Sequence, residues 1–145
     1  MSMENLFDAS FVLVAPFWLL MIFAPHWPVT RRIVQTVWIV APAALLYAIL
    51  ILPRFVEVFP LVLMPEHAAI RELLGSPAGT TIGWIHYLAF DLFVGRWVYL
   101  DSRERGFSAW LVSPILFLVL MLGPFGFVLY LALRYTAPMI RAESA

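Results

Sequence analysis

The sequence predicts an all-α integral membrane protein: a bundle of four transmembrane helices with a short amphipathic helix between the second and the third. Of its 145 residues, 63% are hydrophobic and only 12% are charged. Soluble domains are about 45–50% apolar and about 25% charged. The mean hydropathy is +0.93, and four apolar runs approach the ~20 residues needed to cross hydrocarbon. We expect one domain over residues 1–145.

The four predicted spans are separated by connections that carry interfacial residues. The spans are Leu6–Ala24, Ile33–Leu52, Thr80–Leu100 and Trp110–Leu133. Residues 25–32 form a tight connection in which Trp27 and two arginines suit the membrane interface. Residues 101–106 form a second short, charged turn. Because Glu4 and Asp8 precede the first apolar run, whereas a secretory signal begins with a positive region, we expect the first span to be kept as an anchor.

The connection from residue 53 to residue 79 is longer and contains a helix of its own. Residues 65–75 begin with proline and end with glycine, the arrangement typical of a helix start and a helix end. Ile70, Leu73 and Leu74 can share one face of that helix. The pattern predicts an amphipathic helix on the membrane or over the bundle; a solvated surface helix without a function is the alternative.

Three of the spans are interrupted near their centres. Pro16 and Pro42 fall in the first two spans, and Gly123-Pro-Phe-Gly126 falls in the fourth. Proline removes a backbone donor and frees carbonyls that protein or water must satisfy. The interruptions favour a central cavity lined by irregular backbone. Ordinary proline kinks, and glycines that allow close helix packing, are the simpler interpretation.

Asp91, near the centre of the third span, is the strongest candidate for a functional residue. A carboxylate at that depth costs roughly 2.5–3.5 kcal/mol, so it usually faces a protein interior or a wet cavity. His86 and Arg96 flank it five residues away on either side, about 140° around the helix. Neither is therefore a helical neighbour; Tyr87 and Gly95 are. His86 alone is more often a packed side chain than a base, and Arg96 could extend to the headgroups.

Spans that alternate in direction can be aligned by depth, because a helix rises about 1.5 Å per residue. On this basis Tyr47 reaches the level of His86, and Gln35 reaches the level of Arg96. The net charge of +0 argues against a nucleic-acid partner. The candidate metal ligands lack the sequence spacing of a metal-binding motif such as His-Glu-x-x-His, so we expect no metal. These candidates are Glu66, His67, His86, Asp91 and Asp101.

Most residues that mark a family resemblance lie in the third span. They are Trp84, His86, Asp91, Phe93, Arg96, Tyr99 and Asp101, followed by Pro124-x-Gly126, with weaker similarity at Ala24-Pro25, Thr30-Arg31 and Tyr47. This pattern resembles the abscisic-acid-deficient-4-like family of small membrane proteins, whose plant member is linked to neoxanthin synthesis from violaxanthin. The sequence shows no plastid presequence, which suggests a bacterial-type relative in the inner (plasma) membrane.

The resemblance implies an intramolecular rearrangement of an epoxy-carotenoid that requires no cofactor. Opening the epoxide to an allenic alcohol needs a proton donated to the epoxide oxygen and a proton removed from the polyene side. As a hypothesis, Asp91 is the acid, since desolvation favours its neutral form, and His86 is the base. Arg96, if turned inward, would instead hold Asp91 ionised. Tyr47 and Trp84 would line an apolar slot, and the further substrate-binding candidates are Tyr87, Tyr99, Asp101, Pro124 and Gly126.

The competing hypothesis is a non-catalytic carotenoid- or lipid-binding membrane protein, or an accessory subunit. Kinked helices rich in aromatic residues serve binding as well as catalysis. A transporter is a third possibility, although four short spans would need a homo-oligomer to form a pathway. In each case the expected partners are membrane lipid and a carotenoid or isoprenoid ligand.

Overall fold

All regular structure in the described part of the chain is helical, which confirms the predicted all-α class. The computed structural model describes residues 2–143, and their side chains as far as Thr136. The helices are α1 (Met3–Ser10), α2 (Ala15–Phe23), α3 (Pro28–Val34), α4 (Ala41–Ile51), α5 (Phe55–Leu63), α6 (His67–Gly75), α7 (Pro77–Glu104), α8 (Ala109–Leu122) and α9 (Pro124–Glu143). Short 3₁₀ segments lie at Phe11–Leu13, Val37–Val40 and Leu52–Arg54.

The chain forms two compact units. The first comprises Met1–Ala15 and Val40–Phe90, and the second comprises Pro16–Ile39 and Asp91–Ala145. Helix α7 therefore contributes its first half to one unit and its second half to the other. A single domain over residues 1–145 stays a prediction, and its extreme ends lie outside the described residues.

The first unit is built around a small apolar core between α4 and the start of α7. Leu50, Ile82 and Ile85 are buried there, and side chains of α1 and α4 pack against them. Ser76 precedes α7, and its hydroxyl accepts a hydrogen bond from the Gly79 N–H at 3.0 Å. This side-chain cap, followed by proline in the first turn, explains why α7 begins where it does.

The second predicted span ends later than expected. Helical structure continues past Leu52 through the 3₁₀ turn Leu52–Arg54 into α5, so the expected connection from residue 53 is wrong over its first eleven residues, 53–63. Proline fixes a φ that a helical turn accepts and removes only one donor; the tighter 3₁₀ turn accommodates Pro53. The predicted amphipathic helix is confirmed as α6, which begins at His67, two residues after Pro65.

In the second unit, α8 and α9 form a helical hairpin. Gly123 joins them with φ +31°, and Pro124 starts α9 at a position where its missing N–H costs nothing. Gly126 lies directly on the α8 backbone, since an added Cβ would be 2.6 Å from the Leu118 carbonyl carbon. About two turns into α9, the Tyr130 ring lies 6.4 Å from the ring of Phe107, which precedes α8.

The prediction of one continuous span over Trp110–Leu133 is therefore wrong. The helix ends at Leu122, and α9 returns beside α8 instead of extending it. A glycine with positive φ followed by proline ends a helix, and the missing Cβ at Gly126 lets the two backbones approach closely. A hydropathy profile does not distinguish this reversal from a single span, because α8 and the first half of α9 are both apolar.

Two helical stretches within residues 2–143 are long and apolar enough to cross a membrane, Met3–Phe23 and Val37–Leu63. Only 22% and 17% of the residues in their apolar windows are buried, whereas the core helix of a soluble protein is mostly buried. The third predicted span lies within the uninterrupted α7, whose charged residues lower its hydropathy. Two candidate spans are thus supported, and crossing by four helices stays a prediction.

Candidate functional site

A cavity of about 430 Å³ opens in the first unit between α4, α5, α6 and the start of α7. Most of its wall is aliphatic. The lining residues are Tyr47, Ile51, Arg54, Glu57, Val58, Leu61, Val62, Leu73, Leu74, Ser76, Ala78, Gly79, Ile82, Gly83, His86 and Tyr87. Three predicted site residues, Tyr47, His86 and Tyr87, are therefore brought together at one cavity.

The His86 imidazole is held by aromatic rings. It stacks on Phe90 with ring centroids 4.8 Å apart, and it lies 5.5 Å from the Tyr47 ring and 6.1 Å from the Tyr87 ring. The predicted alignment of Tyr47 with His86 is thus confirmed. Within the described residues the imidazole nitrogens make no hydrogen bond to protein, so one nitrogen can accept and the other donate toward a ligand.

Two charged cavity residues, Arg54 and Glu57, were not among the sequence candidates. Arg54 Nη1 donates to the Leu50 carbonyl at 3.1 Å, which fixes the guanidinium along the cavity wall. Glu57 lies three residues later, at the start of α5. Their spacing of three residues within an apolar run was the available signal. Together they give the apolar cavity a polar region suited to a hydroxyl or carbonyl group.

Trp84 belongs to a different face of α7 from the one that lines the cavity. Its ring stacks on Phe7 of α1 at 5.2 Å. The cavity wall described above does not include Trp84. A role for Trp84 in lining the substrate slot beside Tyr47 therefore stays a prediction, and the observed contact joins α1 to α7.

In the second unit, Asp91 lies at the tip of the α8–α9 hairpin. The carboxylate is half-buried against Gly123, where an added Cβ would lie 3.2 Å from Asp91 Cγ. Within the described residues Asp91 forms no ion pair and no side-chain hydrogen bond. The N-terminus of α9, which starts at Pro124, is a favourable place for negative charge, because its first N–H groups have no helical partner.

The Arg96 guanidinium donates to backbone carbonyls instead of pairing with a carboxylate. Its Nε donates to the Thr36 carbonyl at 3.2 Å, and its Nη2 donates to the Gln35 carbonyl, so the expected alignment of Gln35 with Arg96 is confirmed. These carbonyls lie in the break between α3 and the 3₁₀ segment Val37–Val40. These contacts do not support the possibility that Arg96 holds Asp91 ionised. The guanidinium instead donates to two backbone carbonyls just after the end of α3.

The remaining candidates, Tyr99, Asp101 and Gly126, make structural contacts. The buried Tyr99 hydroxyl donates to the Pro25 carbonyl at 2.9 Å. Asp101 accepts hydrogen bonds from Tyr130, Arg105 and Arg134 at 2.5, 2.8 and 3.0 Å. Burial acts to raise the pKa of Asp101, but these three donors outweigh it and hold the pKa below its ordinary value.

Comparison with known proteins identifies relatives along most of the chain. The sequence model of the family described as ABA DEFICIENT 4-like matches residues 5–130. The Arabidopsis thaliana protein "ABA DEFICIENT 4, chloroplastic" is 26% identical over 111 residues, which cover 70% of this chain and 49% of that protein. The chain thus spans about half the length of this curated relative. No solved structure matches the chain. Because the family model covers more than half of the sequence, the chain belongs to the ABA DEFICIENT 4-like family.

Proposed function

We propose that the first unit binds the ring end of a carotenoid or related isoprenoid in the cavity beside His86. The observation that carries this proposal is an aliphatic cavity of about 430 Å³ with an imidazole that has no protein partner in the described chain. Small-molecule sites typically measure about 300–1,000 Å³ and combine apolar walls with few polar groups. Arg54 and Glu57 suit a hydroxyl on the ring. The family's link to neoxanthin synthesis favours a xanthophyll.

The proposal places the protein in a membrane, where such a ligand dissolves. Met3–Phe23 and Val37–Leu63 would cross it, as would residues 80–100 of α7, in which Arg96 donates to backbone carbonyls and Asp91 lies against Gly123. The α8–α9 hairpin would enter from one side and turn back at Gly123, in place of a fourth simple crossing. Non-helical backbone at depth is tolerated where protein or a wet cavity surrounds it. A bacterial inner membrane is the proposed location.

The proposed chemistry is rearrangement of an epoxide end group. A proton goes to the epoxide oxygen as the carbon–oxygen bond breaks, and a proton leaves the carbon on the polyene side, so the product is an isomer and no electrons are exchanged. His86 would take the proton, because its ring stacks on Phe90 and neither ring nitrogen is hydrogen-bonded within the part of the chain that the structure describes. Asp91 is the proposed acid, and the substitution Asp91→Asn tests this role separately from that of His86.

Filling the cavity should abolish ligand binding. Gly83 lines the cavity, and a Cβ there would meet Leu74 Cδ2 at an ordinary 3.4 Å, so Gly83→Ala fits while the longer side chain of Gly83→Leu must enter the cavity. We expect Gly83→Leu to reduce pigment bound after purification in mild detergent by roughly tenfold or more. The matched Gly83→Ala variant should bind as the wild type does. Equal pigment in Gly83→Leu and wild type would place the ligand elsewhere.

Removing either proposed proton carrier should separate binding from conversion. His86→Phe keeps the stack on Phe90 but has no ring nitrogen, and Asp91→Asn keeps the shape beside Gly123 but loses the acid. We expect pigment still to bind in each variant, because the apolar wall is unchanged, and conversion of an epoxy-xanthophyll to fall by on the order of 100-fold. Conversion is measured by chromatography of extracted pigments. A fully active Asp91→Asn protein would remove Asp91 from the acid role.

The competing function is binding without chemistry, and the same aliphatic cavity favours it. Expression in a violaxanthin-producing host, followed by purification and pigment extraction, separates the two functions. A bound pigment with an altered end group supports isomerisation. A bound pigment with unchanged chemistry supports a carotenoid-binding or accessory protein, and absence of any isoprenoid contradicts both.

A further inference from the structure

The cavity of the proposed function carries polar side chains at two separate places. Tyr47 of α4 lies against the His86 ring, and Arg54 follows Tyr47 by seven residues along the same helical stretch. Both residues line the cavity, and a rise of about 1.5 Å per residue puts them roughly 10 Å apart along its wall. One end of the cavity is therefore marked by His86, and the other by Arg54 with Glu57.

Arg54 and Glu57 have hydrogen-bonding capacity that the described part of the protein leaves unused. Arg54 Nη1 donates to the Leu50 carbonyl at 3.1 Å, and the other guanidinium N–H groups have no acceptor among the described residues. The Glu57 carboxylate accepts no hydrogen bond there either. The two side chains are neighbours one helical turn apart, yet no ion pair joins them, since the ion pairs of the described chain involve Asp101. Charged groups beside an apolar wall gain from a ligand that satisfies both of them.

A hydroxyl group matches this pair because it accepts and donates at the same time. Its oxygen can accept from Arg54 while its hydrogen goes to the Glu57 carboxylate, and hydrogen bonds to charged groups are stronger than those between neutral groups. An ether or ketone oxygen accepts but cannot donate, so it leaves the carboxylate unpaired. An unsubstituted ring leaves both charged groups unpaired. The pair therefore distinguishes an alcohol from the other substituents of an isoprenoid ring.

The cavity is large enough for a ring but not for a whole carotenoid. Its volume of about 430 Å³ lies toward the lower end of the ~300–1,000 Å³ that is typical of sites for drug-sized ligands. An extended carotenoid is about as long as the ~30 Å hydrocarbon core of a bilayer, so most of its polyene remains outside. His86 and Tyr87 line the cavity and are exposed, so the polyene can leave the cavity beside them.

We propose, on the basis of the function proposed for this cavity, that the ring enters with its hydroxyl first and that this hydroxyl bridges Arg54 and Glu57. In a hydroxylated carotenoid end group, the hydroxyl and the chain-bearing carbon lie on opposite sides of the six-membered ring. This orientation therefore brings the chain-bearing carbon to His86, where the proposed proton removal takes place. Recognition is complete within the ring, so short hydroxylated ring fragments are ligands in their own right.

Binding of three ring fragments to the purified full chain tests this proposal. The probes are 3-hydroxy-β-ionone, its methyl ether and β-ionone itself, measured by equilibrium dialysis in mild detergent against protein-free micelles. We expect the alcohol to bind about tenfold tighter or more than either of the others. Glu57→Leu should reduce the preference for the alcohol over the ether from about tenfold to about twofold or less. Arg54→Leu should weaken binding of the alcohol without weakening that of β-ionone.

Glu72→Leu is the matched control, because it removes the same charge from an exposed position of α6 that does not line the cavity. It should keep the full preference for the alcohol. His86→Phe should keep it too, since the hydroxyl binds at the other end. Each result is a ratio of affinities within one protein, so partial loss of folded protein does not change it. Equal affinity for alcohol and ether in the wild type, or a preference that Glu57→Leu retains, would overturn the proposal.

The ring orientation and the proposed function of the cavity fail in different ways. Pigment that binds the wild type and is lost in Gly83→Leu, while the three fragments bind equally, would leave the cavity function standing and overturn the hydroxyl-first orientation. A preference for the alcohol that is lost in His86→Phe and kept in Glu57→Leu would mean the reverse orientation and would overturn it too. Fragments and pigment that both bind Gly83→Leu as they bind the wild type would remove the proposed function itself, and the orientation with it.

Discussion

Gly126→Ala is expected to destabilise the protein by about 3 kcal/mol, although the same change in an open helix position is favourable. An added Cβ would lie 2.6 Å from the Leu118 carbonyl carbon and 2.7 Å from Val119 Cα, and both are backbone atoms. A side chain could rotate away from such a collision, but the α8 backbone cannot. The hairpin must therefore open, which typically costs 1–3 kcal/mol and occasionally more. Thermal and denaturant unfolding in mild detergent measure the loss.

Gly83→Ala is the matched control for this change. It also lies within a helix, but its nearest new contact, at 3.4 Å, is the end of the Leu74 side chain. Alanine favours a helix over glycine by up to about 1 kcal/mol, so this variant should be unchanged or slightly more stable. The two substitutions should thus move stability in opposite directions. A Gly126→Ala protein as stable as the Gly83→Ala protein would mean that α9 does not pack on α8 at this point.

The hairpin also shows where sequence reasoning succeeds and where it ends. The apolar runs identify the helices, and the sequence flags Gly123-Pro-Phe-Gly126 as an interruption. A kink and a full reversal use the same local residues, so the choice depends on long-range packing, such as that of Tyr130 beside Phe107. At Pro53 the error is the opposite one: a helix end is expected from the sequence, but a 3₁₀ turn continues the helical stretch past the proline.

Contacts in the candidate site were predictable where they depend only on how far along its helix each residue lies. A rise of about 1.5 Å per residue places Tyr47 at the level of His86 and Gln35 at the level of Arg96. Both contacts are present. Direction around the helix was harder to predict. Trp84 stacks on Phe7, and Arg54 and Glu57 were missed because their segment was expected to be a loop. Side-chain orientation depends on which neighbours pack against each face, and hydropathy does not record those neighbours.

Asp101→Asn should destabilise the protein by about 2 kcal/mol at neutral pH, because hydrogen bonds to a charged group are worth about 1.5–3 kcal/mol. Asparagine still offers an oxygen to the buried Tyr130 hydroxyl, but it loses the charge that holds Arg134, which also lies over the Trp97 ring at 5.6 Å. The Asp101 side chain is only 15% exposed. The control is Arg105→Gln, an exposed partner four residues away, which should cost at most about 0.5 kcal/mol.

The same carboxylate should give stability a defined dependence on pH. The pKa of folded Asp101 lies below its ordinary value, so the unfolded chain binds a proton more readily than the native protein does. Its contribution is therefore complete above the unfolded pKa of about 3.9 and is lost as pH falls toward the folded pKa. The melting temperatures of wild type and Asp101→Asn should differ constantly from pH 7 to about pH 5 and converge below about pH 4. A gap that stays constant down to pH 3 would show that asparagine acts through shape alone, and that the charge of Asp101 does not hold α9 against α7.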